Sequence, residues 1–431
     1  MNDMDEIEVY KDFWKSQYIT IKSFLDIKIK EGKKIAIWGA GLRGKAFLEI
    51  FDINNTYISY VYDINEKKWG SHMPTGQIIV GVDEEHETDV LLIMNINHDV
   101  ETREKFIGKN VEIINVDNIV WGGLQIEDVL EPIKESESQL KNKIAAVTVL
   151  YNPTMDVYDN IKSYADSINN IYVYDNSQIV NKILVEQLKE LPNVIYITER
   201  KNNGIAKAIN DSVKLMRKEG IDWFFTFDQD SVVDKDMIKQ MVSFSNSIEC
   251  EKNKIGIIAP NIMCKQKVEY NEKILFVDKV IQSGMFNKIE AFDKIGGYDE
   301  KLFLEQVDFE YCIRLRLNGY KIVKVCDAYL KHNVSDDKIE TRYVDGKKMF
   351  IDKYSPIRYY YQFRNTYYCK QKYENKDKIY ALECENIIRK LKKNIELDCD
   401  SELKKDALQK GYCDFVNGKM GIREESDLKE G

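Results

Sequence analysis

The residues best suited to chemistry are the two carboxylates of Asp228-Gln229-Asp230-Ser231, which directly follow the apolar run Trp223-Phe224-Phe225-Thr226-Phe227. A short apolar and aromatic run that ends abruptly is typical of a buried strand. In an open α/β sheet, ligands bind beyond the carboxyl ends of the strands, so the two acids lie where a site is expected. Paired oxygen ligands suit Mg²⁺ or Mn²⁺, which bridges them to a diphosphate. A turn followed by a helix cap is the alternative interpretation, because Asp and Ser favour both.

Polar groups also follow three earlier predicted strands. The strand over 143–150 is almost continuously apolar, as a central parallel strand is, and a helix over 205–218 precedes the acidic turn. The three strands end, in order, at Tyr151-Asn152-Pro153, at Asp175-Asn176-Ser177 and at Arg200-Lys201-Asn202-Asn203-Gly204. Because the carboxyl ends of parallel strands share one edge, this repetition predicts a doubly wound, mostly parallel α/β sheet with a ligand there.

The first 130 residues show a second, smaller α/β pattern. An amphipathic helix over 5–30 is followed by a strand, the turn Gly39-Ala40-Gly41-Leu42-Arg43-Gly44, a helix and a strand that ends at Asp63. This order is typical of a dinucleotide-binding unit, in which glycines let backbone N–H groups approach a phosphate. Gly39, Gly41, Gly44 and Asp63 are therefore a candidate second nucleotide site. A structural or partner-docking Rossmann-like module is the alternative.

Composition bounds the class of protein. The 431 residues allow two or three domains, and the net charge of −9 argues against a nucleic-acid-binding surface over the whole protein. Eight cysteines without a C-x-x-C pair predict reduced thiols in the cytoplasm. No signal peptide or membrane span is predicted, so membrane contact would be peripheral. The predicted boundaries are 1–130 for the Rossmann-like domain, 131–143 for a linker, 144–345 for the second α/β domain and 346–431 for an aromatic-rich helical region.

From residue 144 to about 370, the chain resembles family 2 glycosyltransferases of the GT-A fold, and more narrowly bacterial rhamnosyltransferases. The resemblance is carried by an ordered set of segments: Val149-Leu150-Tyr151-Asn152-Pro153, Val173-Tyr174-Asp175-Asn176-Ser177, Asn203-Gly204-Ile205-Ala206, Phe227-Asp228-Gln229-Asp230-Ser231, Gln282-Ser283-Gly284-Met285, Gly296-Gly297-Tyr298-Asp299, Val307-Asp308-Phe309-Glu310 and Arg314-Leu315-Arg316. Leu150 departs from the family, which usually has threonine there.

The resemblance implies roles for individual residues. Asp230 is the expected metal ligand, with Asp228 facing the ribose, the sugar or the metal, and His332 as a further ligand. The remaining residues implied for the donor are Tyr151, Asn152, Asp175, Asn202, Asn203, Arg358 and Arg364, and those implied for the acceptor region are Ser283 and Gly284. A divalent cation would stabilise the charge that develops on the leaving diphosphate.

An inverting transfer also needs a base for the acceptor hydroxyl. Family members commonly use an Asp as this base. One position where that Asp is frequent is occupied by Gln306 in this chain, so we expect Glu305 to be the base, with Asp308 beside it. The alternative is that Asp308 and Glu310, with Arg314 four residues further on, form structural ion pairs on a helix.

The resulting expectation is an inverting, metal-dependent enzyme that moves L-rhamnose from dTDP-L-rhamnose onto a bacterial cell-surface polysaccharide or lipid-linked oligosaccharide. The first alternative is the same fold with UDP-galactofuranose or a UDP-hexose. An NAD-dependent oxidoreductase, resting on Gly39 to Gly44, and a noncatalytic sugar-nucleotide-binding protein, resting on Gln306, are alternatives of other classes. A homo-oligomer is compatible with all of them.

Overall fold

The computed structural model describes residues 3–82, 86–94, 99–122, 142–263, 270, 272–332, 339–344, 347–352, 354–396 and 401–423. The chain forms two compact units, one of residues 1–134 with 268–278 and one of residues 135–267 with 279–431. None of the helices within these ranges is long and apolar enough to cross a bilayer. The predicted linker 131–143 lies almost wholly outside the described residues, and the predicted domain boundaries remain a prediction.

The N-terminal unit is an α/β layer structure around a parallel sheet. Its strands lie in the order β3-β2-β1-β4-β5, so the first strand is central and covered on both faces. The helix predicted over 5–30 is two helices, because the chain leaves helical geometry at Gln17. The elements are α1 (Asp3–Ser16), α2 (Tyr18–Lys30), β1 (Ile35–Trp38), α3 (Leu42–Phe51), β2 (Ile58–Tyr62), β3 (Ile78–Val80), β4 (Val90–Ile93), α4 (Asp99–Lys105), β5 (Glu112–Asn115) and α5 (Val116–Gly122), with β12 (Ile274–Val277) from the later segment. The predicted Rossmann-like module is thus confirmed as a fold.

Two glycines of the predicted phosphate turn differ sharply in what surrounds them. Gly44, in the first turn of α3, faces the end of β1 so closely that an added Cβ would lie 2.1 Å from the carbonyl oxygen of Gly39. Gly41 precedes α3 with an ordinary extended backbone, φ −86°, and an added Cβ there would meet nothing within 4 Å. Close packing of helix on strand therefore requires glycine at 44 and not at 41.

We expect Gly44→Ala to lower the free energy of unfolding of the N-terminal unit by about 1–3 kcal/mol, since helix and strand must separate to admit the methyl group. The matched control is Gly41→Ala, for which we expect a change within about 0.5 kcal/mol. Thermal unfolding monitored by circular dichroism measures both. Equal melting temperatures for the two variants would contradict this account of the turn.

The second unit is built on a large sheet with strands in the order β10-β14-β11-β13-β9-β6-β7-β8. The half formed by β9, β6, β7 and β8 is parallel, whereas β13 runs antiparallel to both of its neighbours. Its strands are β6 (Ile144–Leu150), β7 (Asn170–Asp175), β8 (Val194–Thr198), β9 (Trp223–Asp228), β10 (Ser231–Val233), β11 (Ile255–Met263), β13 (Phe286–Lys288) and β14 (Lys321–His332), with the separate hairpin β15 (Ile339–Val344) and β16 (Lys347–Asp352). The prediction of a mostly parallel α/β sheet is confirmed, with a mixed second half that the sequence pattern did not indicate.

Helices cover this sheet and continue beyond it. The helices are α6 (Val157–Ala165), α7 (Lys182–Leu188), α8 (Gly204–Lys218), α9 (Met237–Ser245), α10 (Ile248–Lys252), α11 (Ile289–Ile295), α12 (Val307–Leu317), α13 (Pro356–Tyr373), α14 (Lys378–Glu396) and α15 (Ser401–Val416). The aromatic stretch after residue 354 forms α13, and Tyr359, Tyr360 and Tyr361 are each at most 1% exposed there. The predicted helical C-terminal region is therefore confirmed, with its rings largely in a core.

Candidate functional site

The strands predicted to carry the site end side by side. In the parallel half of the sheet, Leu150 lies opposite Asp175, Asp175 lies opposite Thr198, and Val149 lies opposite Asp228. The loops that follow β6, β7, β8 and β9 therefore leave the sheet at one edge. This is the arrangement that places ligands at the carboxyl ends of parallel strands.

The acidic turn is held by hydrogen bonds to Gln229 at its centre and to Ser231 at its end. The backbone N–H of Tyr151 donates to the side-chain oxygen of Gln229 at 2.9 Å, and the amide of Asn160 donates to the Gln229 carbonyl at 2.8 Å. The N–H of Asp228 donates to Ser231 Oγ at 3.1 Å. After the turn the chain continues as β10 and not as a helix, so the helix-cap interpretation of this segment is wrong.

The electrostatics of the turn suit a cation. Burial, together with the nearby charge of Asp230, raises the pKa of Asp228 to about 7. The amide of Gln282 donates to Asp228 Oδ1 at 3.3 Å. A carboxylate whose ionisation is opposed by burial and by a neighbouring acid is stabilised by a bound divalent ion.

The described residues contain no cluster of three or more His, Cys, Asp or Glu arranged to hold a metal ion. Two carboxylates nevertheless fit Mg²⁺, which is commonly bound by one or two protein carboxylates and completes its shell with water and substrate phosphates. His332 ends β14 directly opposite Ser231, beside the acidic turn, and its side chain lies outside the described part of the structure. The backbone register therefore places His332 beside the turn that carries Asp228 and Asp230.

The predicted base-binding residues form a connected group on β7 and its neighbours. Asp175 is fully buried, and its two oxygens accept hydrogen bonds from the Tyr196 hydroxyl at 2.5 Å and from the Ser177 N–H at 2.8 Å. Tyr151 is 52% exposed, so its ring is available to a ligand. Asn152 takes a left-handed backbone, φ 46°, and its N–H donates to Ser177 Oγ at 2.7 Å. These contacts fix the two loops to each other.

Asn202 and Asn203 shape the third loop. The Asn202 side chain accepts from the Gly204 N–H at 3.1 Å, and the Asn203 amide donates to Glu199 at 2.8 Å. Gly204 has φ +78°, and an added Cβ would lie 2.5 Å from the ring of Phe303. The loop is thus packed against the segment that leads to the candidate bases.

Glu305 is engaged in an ion pair. The Arg358 guanidinium donates to Glu305 Oε1 at 2.7 Å, and Gln362 donates to Oε2 at 3.2 Å. Both carboxylate oxygens therefore already accept hydrogen bonds from α13. Glu305 and Gln306 both have φ 64°, a conformation that costs energy in residues other than glycine and is common at functional sites.

Asp308, in the first turn of α12, has a different environment. Its Oδ1 accepts the Phe309 N–H at 2.9 Å. Burial, together with the charges of Glu305 and Asp228, raises the pKa of Asp308 to about 6 against that backbone hydrogen bond. The charge of Asp228 is among the causes of this shift, although 80 residues separate the two aspartates in sequence.

Ser283 and Gly284, the residues predicted for the acceptor region, form hydrogen bonds to the acidic turn and to β9. Ser283 is 1% exposed and its hydroxyl is hydrogen bonded to that of Ser231. The N–H of Gly284 donates to the Thr226 carbonyl at 2.8 Å, and an added Cβ would lie 2.6 Å from Pro260. Both residues therefore have a structural reason for their identity, and their role toward an acceptor stays a prediction.

Arg358 and Arg364, which both lie on α13, have different surroundings. Arg358 pairs with Glu305, one of the two candidate bases, and lies 4.1 Å from the centroid of the Tyr354 ring. Arg364 is 1% exposed and donates to the side chains of Asn365 at 3.0 Å and Tyr360 at 3.2 Å. These contacts of Arg364 lie within the helical region, and its predicted role in donor binding stays a prediction.

In the N-terminal unit, the carboxylate of Asp63 already accepts hydrogen bonds from the glycine turn and from the residues that follow Asp63. Its carboxylate accepts from the Ala40 N–H at 2.9 Å, from the Asn65 N–H at 2.8 Å and from Lys68 at 2.8 Å. These bonds join the end of β2 to the glycine turn after β1. A structural role accounts for Asp63, and nucleotide binding by Gly39, Gly41, Gly44 and Asp63 stays a prediction.

Three side chains that support the site have no role predicted from the sequence. Gln229 and Gln282 lie inside motifs that the sequence singles out, so their positions in these motifs indicate that they contribute to the site. Tyr196 lies in mid-strand on β8 with no local pattern to distinguish it, and only the pairing of β7 with β8 brings its hydroxyl to Asp175.

Comparison with known proteins agrees with this geometry. Residues 146–278 match the family described as glycosyl transferase family 2, and residues 1–113 match the C-methyltransferase C-terminal domain. The chain therefore carries a family 2 glycosyltransferase domain and is a glycosyltransferase, as its sequence predicted. Glu305 and Asp308 lie beyond the matched range.

Among curated proteins, the chain is similar to the dTDP-rhamnosyl transferase RfbF of Shigella flexneri, with 27% identity over 249 residues that cover 53% of this chain and 80% of the relative. Among solved structures, it resembles S. aureus TarS with 15% identity and a TM-score of 0.42, covering 66% of this chain and 50% of that one. It also resembles GalNAc-T7, solved with UDP, GalNAc and Mn²⁺, with 14% identity and a TM-score of 0.39, covering 65% and 58%. The chain thus spans half the length of the first solved protein and 58% of the second.

Proposed function

We propose that this glycosyltransferase is inverting and metal-dependent, and that it transfers L-rhamnose from dTDP-L-rhamnose to a bacterial cell-surface polysaccharide or lipid-linked oligosaccharide. The observation that carries the proposal is the acidic turn of Asp228 and Asp230 at the carboxyl end of β9, where the loops of the neighbouring parallel strands also leave the sheet. The choice of donor is supported by the similarity to a dTDP-rhamnosyl transferase.

The donor's base would lie between the loops after β6 and β7. Tyr151 offers an exposed ring for stacking. Asp175 offers a carboxylate that the Tyr196 hydroxyl and the Ser177 N–H hold in place, and a carboxylate oxygen has a second lone pair for the imide N–H of thymine or uracil. A thymidine or uridine nucleotide is therefore the class of donor that these residues fit.

Asp230 and Asp228 would hold a Mg²⁺ or Mn²⁺ ion, with His332 beside them in the register of β10 and β14. When bound, the ion supplies positive charge that stabilises the leaving nucleoside diphosphate. The protein's own contribution is the turn, which Gln229 and Ser231 keep in one geometry. This preorganisation avoids the cost of aligning the acids during the reaction.

Asp308 is the residue that we propose as the general base, in place of Glu305. A base must be ionised at working pH and able to accept a proton, and a carboxyl group with its pKa raised to about 6 combines both. Glu305 has both oxygens occupied by Arg358 and Gln362, which suits a residue that orients its surroundings. Arg358 would then hold Glu305 in place and leave Asp308 to take the acceptor proton.

The direct test of function is release of nucleoside diphosphate from a panel of dTDP-L-rhamnose, UDP-galactofuranose and UDP-hexoses, with Mg²⁺, Mn²⁺ or EDTA. We expect release from dTDP-L-rhamnose that needs the metal, and a loss of about tenfold or more in Asp230→Ala, because one ligand of the cation is removed. Asp236→Ala is the matched control, since Asp236 is an exposed aspartate shortly after the turn. Full turnover in Asp230→Ala or in EDTA would refute the metal site, and preference for a UDP-sugar would refute the donor.

A further inference from the structure

The segment 303–306, which carries Glu305 and leads into α12, has a strained backbone. Phe303, Glu305 and Gln306 have φ values of 52°, 64° and 64°, in the left-handed region that residues other than glycine seldom adopt. Such conformations persist only where the surrounding structure holds them. Because α12 begins directly after Gln306, the course of this segment also sets the direction in which Asp308 projects. Whatever holds 303–306 therefore positions both candidate bases.

The backbone of this segment is held by Asn365, which lies on α13 and is fully buried. The Asn365 amide donates to the carbonyl of Leu302 at 2.6 Å and to that of Leu304 at 2.5 Å. Its nitrogen also lies 3.2 Å from the carbonyl oxygen of Glu305. The Asn365 side-chain oxygen accepts from Arg364 Nε at 3.0 Å, which turns the nitrogen toward these carbonyls. One buried amide thus faces three carbonyl groups of the strained segment and of the residue before it.

The side chains of the segment are held by the same helical region. The Tyr380 hydroxyl, on α14, donates to Gln306 Oε1 at 2.7 Å. The Gln306 amide in turn donates to Thr366 Oγ1, on α13, at 3.4 Å. Glu305 is paired with Arg358, also on α13. Helices α13 and α14 therefore fix both the backbone and the side chains of 303–306.

We propose that Asn365 and Tyr380 are positioning residues for the transfer, so that the C-terminal helices complete the catalytic site and do not only stabilise the fold. The inference rests on the proposed function in one respect, namely that the base lies on 303–306 or in the first turn of α12. Asn365 is 0% exposed and so acts through the segment, without contact with donor or acceptor. A displacement of about 1 Å in a reacting group can lower a rate by about 10²-fold, so a loosened segment should slow turnover.

The test compares Asn365→Leu with the unmodified full chain by steady-state release of nucleoside diphosphate in the presence of Mg²⁺. Leucine has a similar branched shape but donates no hydrogen bond. We expect kcat to fall by about 10–100-fold and the donor KM to stay nearly unchanged, because the base-binding loops follow β6 and β7. Tyr380→Phe keeps the ring and removes one hydrogen bond, so kcat should fall by about fivefold. The donor is whichever sugar nucleotide of the panel above the unmodified chain turns over fastest, so a wrong donor assignment leaves the comparison intact.

Asn394→Leu is the matched control, because Asn394 lies on α14 and is 2% exposed. This change also replaces a buried amide of the helical region, but the nitrogen of Asn394 forms no hydrogen bond within the described residues. We expect its kcat to be unchanged. Hydrogen exchange of peptides that span 302–309 is a second readout and needs no donor. Exchange there should accelerate in Asn365→Leu and stay unchanged in Asn394→Leu.

A normal kcat in both Asn365→Leu and Tyr380→Phe would overturn the proposal. So would an equal loss of kcat in Asn394→Leu, which would indicate general loosening of the helices, or a raised donor KM at unchanged kcat. If Asn365→Leu does not fold, Tyr380→Phe decides, since it removes only a hydroxyl group. A wrong base assignment is recognised separately, by full turnover in both Asp308→Asn and Glu305→Gln.

Discussion

Replacing Asp308 with asparagine is expected to lower kcat by about 10²–10⁴-fold, the usual contribution of a general base. Donor binding should remain, because Asp308 lies on α12, whereas the base-binding loops follow β6 and β7. The asparagine keeps the size of the side chain and its acceptor for the Phe309 N–H. Steady-state kinetics, together with a thermal-shift titration of the donor, separate the two effects.

Glu305→Gln is the matched comparison, since it removes the other candidate base. We expect a smaller loss of kcat, because the amide oxygen still accepts from Arg358 and Gln362 can reorient. Full loss in Glu305→Gln with near-normal turnover in Asp308→Asn would restore the assignment that the sequence favoured.

The pH dependence follows from the pKa of Asp308, which lies at about 6. Protonation removes the base, so kcat/KM of the unmodified enzyme should fall about tenfold per pH unit below about pH 6.

The folded protein also binds the proton of Asp308 more tightly than the unfolded chain, whose aspartates titrate near 3.8. Any stability from that proton is therefore complete below about pH 4 and lost as the pH rises through about 6. Asp308→Asn should accordingly raise the melting temperature at about pH 8 and leave it unchanged at about pH 4. A lower melting temperature at both pH values would show that Asp308 is structural.

The second large effect is expected from Glu310, which lies two residues further along α12 and is fully buried. It accepts from Arg314 Nη2 at 2.8 Å, from Lys372 at 2.8 Å and from the Tyr373 hydroxyl at 2.7 Å. Burial alone would raise the pKa of Glu310, but the hydrogen bonds and charges of Arg314 and Lys372 lower it below its ordinary value. Glu310→Ala would leave these cations without their carboxylate, so we expect a loss of about 3–5 kcal/mol in the free energy of unfolding.

Denaturant unfolding measures this loss, with Glu186→Ala as the control. Glu186 pairs with Lys189 at 2.6 Å, but the two side chains are 71% and 62% exposed. Such a pair contributes less than about 1 kcal/mol, so the control should unfold nearly as the unmodified chain does. A loss below about 1 kcal/mol in Glu310→Ala would mean that the buried network relaxes or takes up water.

The glycosyltransferase class and the acidic turn are predictable from the sequence because their signals are local. A strand buried on both faces is a run of apolar residues, and the polar groups after it must lie at its carboxyl end. The sequence therefore assigns Asp228 and Asp230 to the edge of the sheet, and the strand register places Asp228 at the end of β9 with Asp230 in the turn that follows. Gly44 lies in the glycine turn that the sequence singles out for phosphate binding, whereas its close packing against the end of β1 is visible only in the structure.

Other features depend on partners far away in the chain, which no local pattern reveals. Arg358 pairs with Glu305 across 53 residues, and the charge of Asp228 acts on Asp308 across 80. We propose Asp308 rather than Glu305 as the base on the strength of these two interactions. The sequence also allowed Glu310 and Asp308 equally to be structural ion-paired acids, whereas the structure pairs only Glu310 with Arg314.

The difference between the features that the sequence predicts and those that only the structure shows has one physical reason. Periodicity and turn chemistry are set by neighbours along the chain, so the sequence alone determined the fold class, the strand ends and the acids that follow them. Ionisation and hydrogen-bond occupancy are set by whatever packs around a side chain, and that is decided when α12, α13 and β9 come together. Only the tertiary structure could therefore show that both oxygens of Glu305 already accept hydrogen bonds and that the pKa of Asp308 is raised.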